Sequence, residues 1–153
     1  MQGVTNTGPL IKLAEIDKLG ILTKLYDTLY APTCVKRELH FPSAAVKFLS
    51  EHVEVRDVSP LTPPPKYVSG VETCDIDVYL VYCDVDADEM LFADRRAKNR
   101  LGNLGKARDI IELKDLAEKK GVFNRQDSKN FLQALKEIKY RPHVVDAELR
   151  NYL

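Results

Sequence analysis

Val4-Thr5-Asn6-Thr7-Gly8-Pro9-Leu10-Ile11 is the stretch whose reading decides the fold of this chain. A short apolar run ends at a small polar residue, a Thr-Gly-Pro turn follows, and Leu-Ile opens a new apolar run. Asparagine braces turns through its side-chain amide, and proline is tolerated in the first turn of a helix. The stretch therefore predicts a strand over residues 2–5 that feeds directly into a helix over 8–15.

The same alternation continues outward. A second helix is expected over 18–26, with Leu19, Leu22, Leu25 and Tyr26 on one face and Asp17 capping its start. Leu29-Tyr30-Ala31 reads as a short strand stopped by Pro32, after which Thr33 caps a helix through Leu39 and Ser43 another through Leu49. Val53 to Val58 alternates apolar and polar residues, a strand pattern. Pro60, Pro63, Pro64, Pro65 and Gly70 exclude helix and central strand over 59–70, which reads as an extended surface loop. A helix over about 73–83 places Ile76, Tyr79, Leu80 and Cys83 in a predicted buried stripe.

After a polar loop at 84–89, Met90-Leu91-Phe92-Ala93 is an apolar strand closed by Asp94. Helices are then expected over 97–101, over 110–120 with Gly121 as its stop, from a Ser128 cap with Phe131, Leu132, Leu135 and Ile138 along one side, and over 145–152. Short strands alternating with helices predict an α/β domain with a mostly parallel sheet of four to five short strands.

The bulk properties agree with a single domain over 1–153. The chain is long enough for one core and short for two. No apolar run approaches the ~18 residues that span a bilayer, and no basic-then-apolar leader opens the chain. Three cysteines (Cys34, Cys74, Cys83) form an odd count without a Cys-x-x-Cys pair, which predicts reduced thiols and a cytoplasmic location.

Net charge is zero, yet its distribution is uneven. Tyr67 to Asp94 carries eight acids and no Lys or Arg, whereas Arg95 to Arg141 carries fourteen bases against six acids. An acidic centre beside a basic region suits a cation and a polyanion together; it also suits two solvated faces of a neutral protein.

In a parallel α/β sheet, ligands bind at the carboxyl ends of strands. Asn6 and Asp94 sit at or just past two such ends, while Glu38 and Asp75 lie on helices that can lean over the same edge. A hard divalent cation takes oxygen ligands and keeps several waters, so a few carboxylates around one pocket suffice.

With these residues in view, the sequence resembles the PIN-domain superfamily, in the branch of VapC-like toxin ribonucleases. Val4 to Ile11 is similar to that family's strand and Asp-Thr-Ser-Pro-Leu-Ile opening, with Asn6 for Asp and Gly8 for Ser. Ala31-Pro32 through Val35 to Glu38-Leu39 resembles the helix that supplies a second acid. Cys74-Asp75-Ile76-Asp77-Val78 resembles a Gly-Glu-Ala-Glu-Ala segment, and Ala93-Asp94-Arg95-Arg96-Ala97 an Asp-Asp-Arg-Arg-Ala turn. Leu113 to Val122, with Ala117 and Gly121, resembles the late helix.

The resemblance implies a three-layer α/β/α fold and Mg²⁺- or Mn²⁺-dependent hydrolysis of RNA. The implied metal ligands are Glu38, Asp75 and Asp94, with Asp77 and Glu72 as second choices and Asn6 as a further catalytic position. The basic region after Asp94 supplies candidate RNA contacts in Arg95, Arg96 and Arg141; Tyr140 beside Arg141 suits stacking on RNA, and an aromatic beside an arginine suits ordinary packing as well. A small antitoxin protein and a second copy of the chain are the implied partners.

Each acid has a plainer reading as well. Asp75 and Asp77 stand in a helix's first turn, where the dipole favours acids, and their spacing puts them on different faces. Ser69-x-x-Glu72 reads as a capping box, and Asp94 as an N-cap. Asparagine keeps a carbonyl oxygen and no charge, so Asn6 raises a second reading: a PIN fold with a decayed metal site that recognises RNA or protein.

Other constellations fail. Asp84-x-Asp86-x-Asp88 lacks the glycine and the closing glutamate of a calcium loop. His40, His52 and His143 lack zinc spacing, and Gly102-x-x-Gly105-Lys106 is too short for a phosphate loop.

Overall fold

The computed structural model describes residues 1–59 and 70–153. Five strands, β1 (Gln2–Thr5), β2 (Thr28–Pro32), β3 (Val53–Arg56), β4 (Glu89–Leu91) and β5 (Ala107–Arg108), form one sheet in the order β3-β2-β1-β4-β5. Every ladder is parallel, with Val4 opposite both Tyr30 and Met90. Nine helices complete the described fold: α1 (Thr7–Glu15), α2 (Gly20–Leu25), α3 (Thr33–Glu38), α4 (Ser43–His52), α5 (Thr73–Asp84), α6 (Arg95–Leu101), α7 (Ile110–Lys119), α8 (Arg125–Glu137) and α9 (Pro142–Leu149).

Successive side chains of a strand point to opposite faces, and here they feed two cores. Val4, Tyr30 and Met90 pack with Val78 and Val81 of α5 and Ala97 and Leu101 of α6. Leu29, Ala31 and Leu91 face the larger core built by α1, α2, α4, α7, α8 and α9. The result is the expected α/β/α arrangement. The strand order reverses direction at β1, whose neighbours are β2 and β4. Such a switch point opens a crevice at the carboxyl ends of the strands, and Asn6 follows β1 while Asp94 lies just past β4.

The turn after β1 depends on close approach. A Cβ on Gly8 would lie 2.7 Å from the Cβ of Ala93, well inside van der Waals contact. Gly8 thus lets the start of α1 press against the Ala93-Asp94 turn, drawing Asn6 toward Asp94.

Several local expectations need correction. Asp17 does not cap α2; it takes a left-handed φ of 56° in the preceding turn, and α2 begins without a side-chain cap. Thr33 and Ser43 are the first residues of α3 and α4 rather than their caps, and Thr33 instead donates its hydroxyl to Asp57. Asn124 and Asp127 form the capping box of α8, leaving Ser128 buried inside the helix. The strand predicted to Val58 ends at Arg56. The last helix starts earlier than expected, with Pro142 in its first turn, and continues as a 3₁₀ turn over Arg150–Tyr152. The predicted proline loop lies almost wholly at 60–69, outside the described residues.

The α5 stripe is rotated from the expected one. Cys74, Asp75, Val78, Leu80 and Val81 are buried, Ile76 and Tyr79 only partly, and Cys83 is exposed. Apolar residues surround this helix, so periodicity alone could not choose its inward face. The expectation of three reduced thiols is also overturned, because Cys34 and Cys74 form a disulfide. Contact between α3 and α5 brings their Cα atoms to 5.9 Å across 40 residues of sequence. No helix among the described residues is long and apolar enough to cross a membrane.

Candidate functional site

Asn6 is the N-cap of α1. Its extended backbone places Oδ1 to accept from the Thr7 N–H at 2.8 Å, one of the helix's otherwise unpaired donors. Its own N–H donates to the Leu91 carbonyl at 3.1 Å, which ties the ends of β1 and β4 together. The Asn6 amide Nδ2 donates to Oδ1 of Asp75, 69 residues away. The other oxygen of Asp75, Oδ2, accepts from the Glu72 N–H at 3.1 Å and closes a capping box in which Glu72 is the N-cap of α5. One oxygen of Asp75 thus closes the helix cap while the other meets the Asn6 amide; the capping box read at Ser69 falls on a residue outside the described ones.

Glu38 closes α3 and is exposed; its Oε2 accepts from the Thr7 hydroxyl at 3.1 Å. Asp94 is the N-cap of α6, its Oδ1 accepting from the Arg96 N–H at 3.2 Å. Tyr140 is buried and donates its hydroxyl to the carbonyl of Ala93 at 2.7 Å, bracing the turn that presents Asp94. Burial, with the nearby charge of Asp109, pushes the phenol up to about 12. Tyr140 is therefore a structural brace: of its two readings, packing agrees with its buried ring and stacking on RNA does not.

Glu72, Asp75 and Asp94 line an open pocket of about 610 Å³, together with Gly70, Arg95, Arg96, Asn99 and Arg100. Burial pushes the Asp75 carboxyl above the ordinary carboxylate range, a rise opposed by the Glu72 N–H and reinforced by the charges of Glu72, Asp94 and Glu38. Four acids thus share one electrostatic neighbourhood. Asp77 lies off the pocket wall, raised by burial and by Glu38 and lowered by Arg37. Of the acids in this segment, Glu72 and Asp75 are on the wall and Asp77 is beside Glu38.

The basic region divides in the same way. Lys98 pairs with Glu112, Arg108 with Glu89, Lys114 with Asp115 and Glu148, and Lys136 with Asp146. Arg141 pairs with Asp109 at 2.7 Å and stands away from the pocket wall. Among the described residues, Arg95, Arg96 and Arg100 have no carboxylate partner, and all three line the pocket. Asn99 and Arg100 were not among the residues singled out from sequence. Their signal is the helical face that runs from Arg96 through i+3 and i+4.

A PIN-domain family model matches residues 2–150. The chain belongs to the PIN-domain family. No curated protein and no solved structure gives a match. The PIN assignment fits the parallel sheet and its switch point, and a nuclease-type fold follows from it.

Among the described residues, no three Asp, Glu, His or Cys side chains gather closely enough to chelate one ion. A cation such as Mg²⁺ nevertheless needs only one or two carboxylates, with waters completing its shell. Asp75 and Asp94 on the wall of this PIN domain's pocket suit that demand, with Glu72 beside them and Glu38 within electrostatic reach. The donor set is all oxygen, which favours Mg²⁺ or Mn²⁺ over softer ions.

Proposed function

We propose that this PIN domain is a divalent-cation-dependent endoribonuclease of the VapC-like branch, with Asn6 at the branch's first acidic position. The observation that carries the reading is the pocket itself: Glu72, Asp75 and Asp94 share its wall with three guanidiniums that have no carboxylate partner among the described residues. An acidic site alone repels a phosphodiester, and a basic one alone has no place for a cation. Here both are built into one cavity.

In this reading Asp75 and Asp94 hold Mg²⁺ or Mn²⁺ directly, while Glu38 and Glu72 act through water and Asp77 stands by Glu38. When bound, the ion supplies charge that polarises the phosphate and makes water a better nucleophile. Arg95, Arg96 and Arg100 grip the RNA backbone, whose phosphates dominate affinity. Asn99 offers an amide to phosphate or sugar, the positioning kind of contact. Asn6 holds Asp75 in place through Nδ2, and Thr7 does the same for Glu38 through its hydroxyl. A toxin role follows the VapC-like resemblance, with a small antitoxin and a second copy of the chain as partners in the cytoplasm.

A second reading has its own support. The Asn6 amide already occupies one oxygen of Asp75, so the site is partly satisfied without a cation. A binding module that holds RNA on the Arg95–Arg100 face without cutting it is the corresponding function. Incubation of single-stranded RNA with Mn²⁺, Mg²⁺ or EDTA separates the two. The nuclease reading predicts cleavage that needs the metal and is lost in Asp94→Ala. Salt-sensitive RNA binding with no cleavage above the Asp94→Ala background supports the binding module instead.

A further inference from the structure

The Cys34–Cys74 disulfide joins two of the helices that carry the candidate acids. Cys34 and Glu38 are four residues apart on α3, hence on one helical face. Cys74 directly precedes Asp75, and its Sγ lies 3.5 Å from Oδ1 of Asn6. The bond thus reaches the supports of Glu38, Asp75 and Asn6 together. It also adds a covalent tether to a short element: α3 has six residues and no side-chain cap, and a helix so short owes its stability to tertiary contacts.

We propose that Cys34 and Cys74 are positioning residues for the cation site: their disulfide fixes α3 against α5, and so sets the separation of Glu38 and Asp75. Cation affinity then follows the thiol–disulfide state. This inference rests on the divalent-cation reading of the pocket. The chemistry is a two-electron exchange with a dithiol. The S–S bond breaks, two S–H bonds form with two protons, and the dithiol leaves as its cyclic disulfide. Afterwards α3 is held to α5 by packing alone, and Glu38 gains freedom that a cation must remove on binding. Loss of the outer-shell groups that orient metal ligands typically costs about 10–100-fold in metal affinity, and loss of this tether is expected to act in the same direction and range.

The test uses the full chain in a Cys83→Ser background, which removes the exposed thiol and leaves the pair intact. Oxidised protein is compared with protein reduced by a dithiol and freed of reductant under nitrogen, with the sulfur state read by mass spectrometry. Mn²⁺ affinity is read from the electron paramagnetic resonance signal of the free ion. Amide exchange is followed in α3 and, as a control, in α7. The expected result is at least about tenfold weaker Mn²⁺ binding after reduction, with faster exchange in α3 and unchanged exchange in α7. Cys34→Ala/Cys74→Ala should match the reduced protein and ignore the dithiol. Equal or tighter Mn²⁺ binding after reduction, unchanged α3 exchange, or a pair that never oxidises overturns the proposal. Absence of Mn²⁺ binding in both states removes the cation reading too, and so marks a different failure.

Discussion

Asn6→Asp should lower stability without metal and raise it with metal. Asn6 Nδ2 donates to Asp75 Oδ1, so the substitution exchanges a donor for a second carboxylate oxygen in direct contact. At an effective dielectric of 20, two charges ~4 Å apart repel by roughly 4 kcal/mol. Relaxation and partial sharing of a proton reduce this, and a net loss of about 2 kcal/mol at pH 7 is expected in EDTA. For a domain of this size that corresponds to a drop of roughly 4–8 °C in Tm. At pH 5 the loss should shrink. The folded pair holds a proton that the unfolded carboxylates, with pKa values near 4, have already released. Added Mn²⁺ should reverse the order, since a ligand at a hundred times its Kd contributes about 2.7 kcal/mol and the added carboxylate binds it more tightly. Thermal melts at pH 5 and pH 7, in EDTA and in Mn²⁺, provide the assay. A variant as stable as wild type in EDTA at pH 7, or equal Mn²⁺ stabilisation of both proteins, would refute the placement of Asn6 against Asp75 or of a cation beside them.

Three further outcomes follow from the same geometry. Asp75 has a raised folded pKa, so its contribution to stability is full below the unfolded value and falls as pH rises through the folded one; denaturation midpoints without metal should show this decline above about pH 4, and Asp75→Asn should flatten it. Gly8→Ala places a methyl 2.7 Å from the Ala93 Cβ and should cost about 1–3 kcal/mol in urea melts, with Ala93→Gly restoring most of the loss. Arg96→Ala and Arg100→Ala should each weaken single-stranded RNA binding across sequences and lower the salt slope by about 0.7 for each phosphate no longer neutralised, whereas Arg141→Ala, removed from the pocket and paired with Asp109, should mainly lower stability.

The sequence was most legible where chemistry is local. Strand–turn–helix punctuation at Val4–Ile11 and Met90–Asp94 placed Asn6 and Asp94 at or just past strand ends, beside the sheet's switch point, although β4 covers Glu89–Leu91 rather than Met90–Ala93. Gly121, with φ of 73°, stops α7 as its position promised. Contacts between distant residues were hidden. Periodicity reports which residues share a face and says nothing about which face meets which. The Asn6–Asp75 bond, the Cys34–Cys74 disulfide and the Tyr140 brace on Ala93 span 69, 40 and 47 residues of sequence, and none has a local signature. The misjudged face of α5 has the same origin: a helix apolar on several sides can be oriented only by its neighbours. Gly8 read as a turn residue, while its fit against Ala93 belongs to packing. Arg141 and Arg100 look alike as basic residues, and only the Asp109 carboxylate distinguishes them.

The most direct test of the central reading is cleavage of a single-stranded RNA oligonucleotide in Mn²⁺ by wild type, Asn6→Asp and Asp94→Ala, each confirmed folded. Wild type is expected to cut, Asn6→Asp to cut faster, and Asp94→Ala and all EDTA controls to leave the RNA intact. Cleavage by Asp94→Ala equal to that of wild type would contradict the assignment of the pocket, and cleavage by Asn6→Asp alone would show that the natural chain binds without cutting.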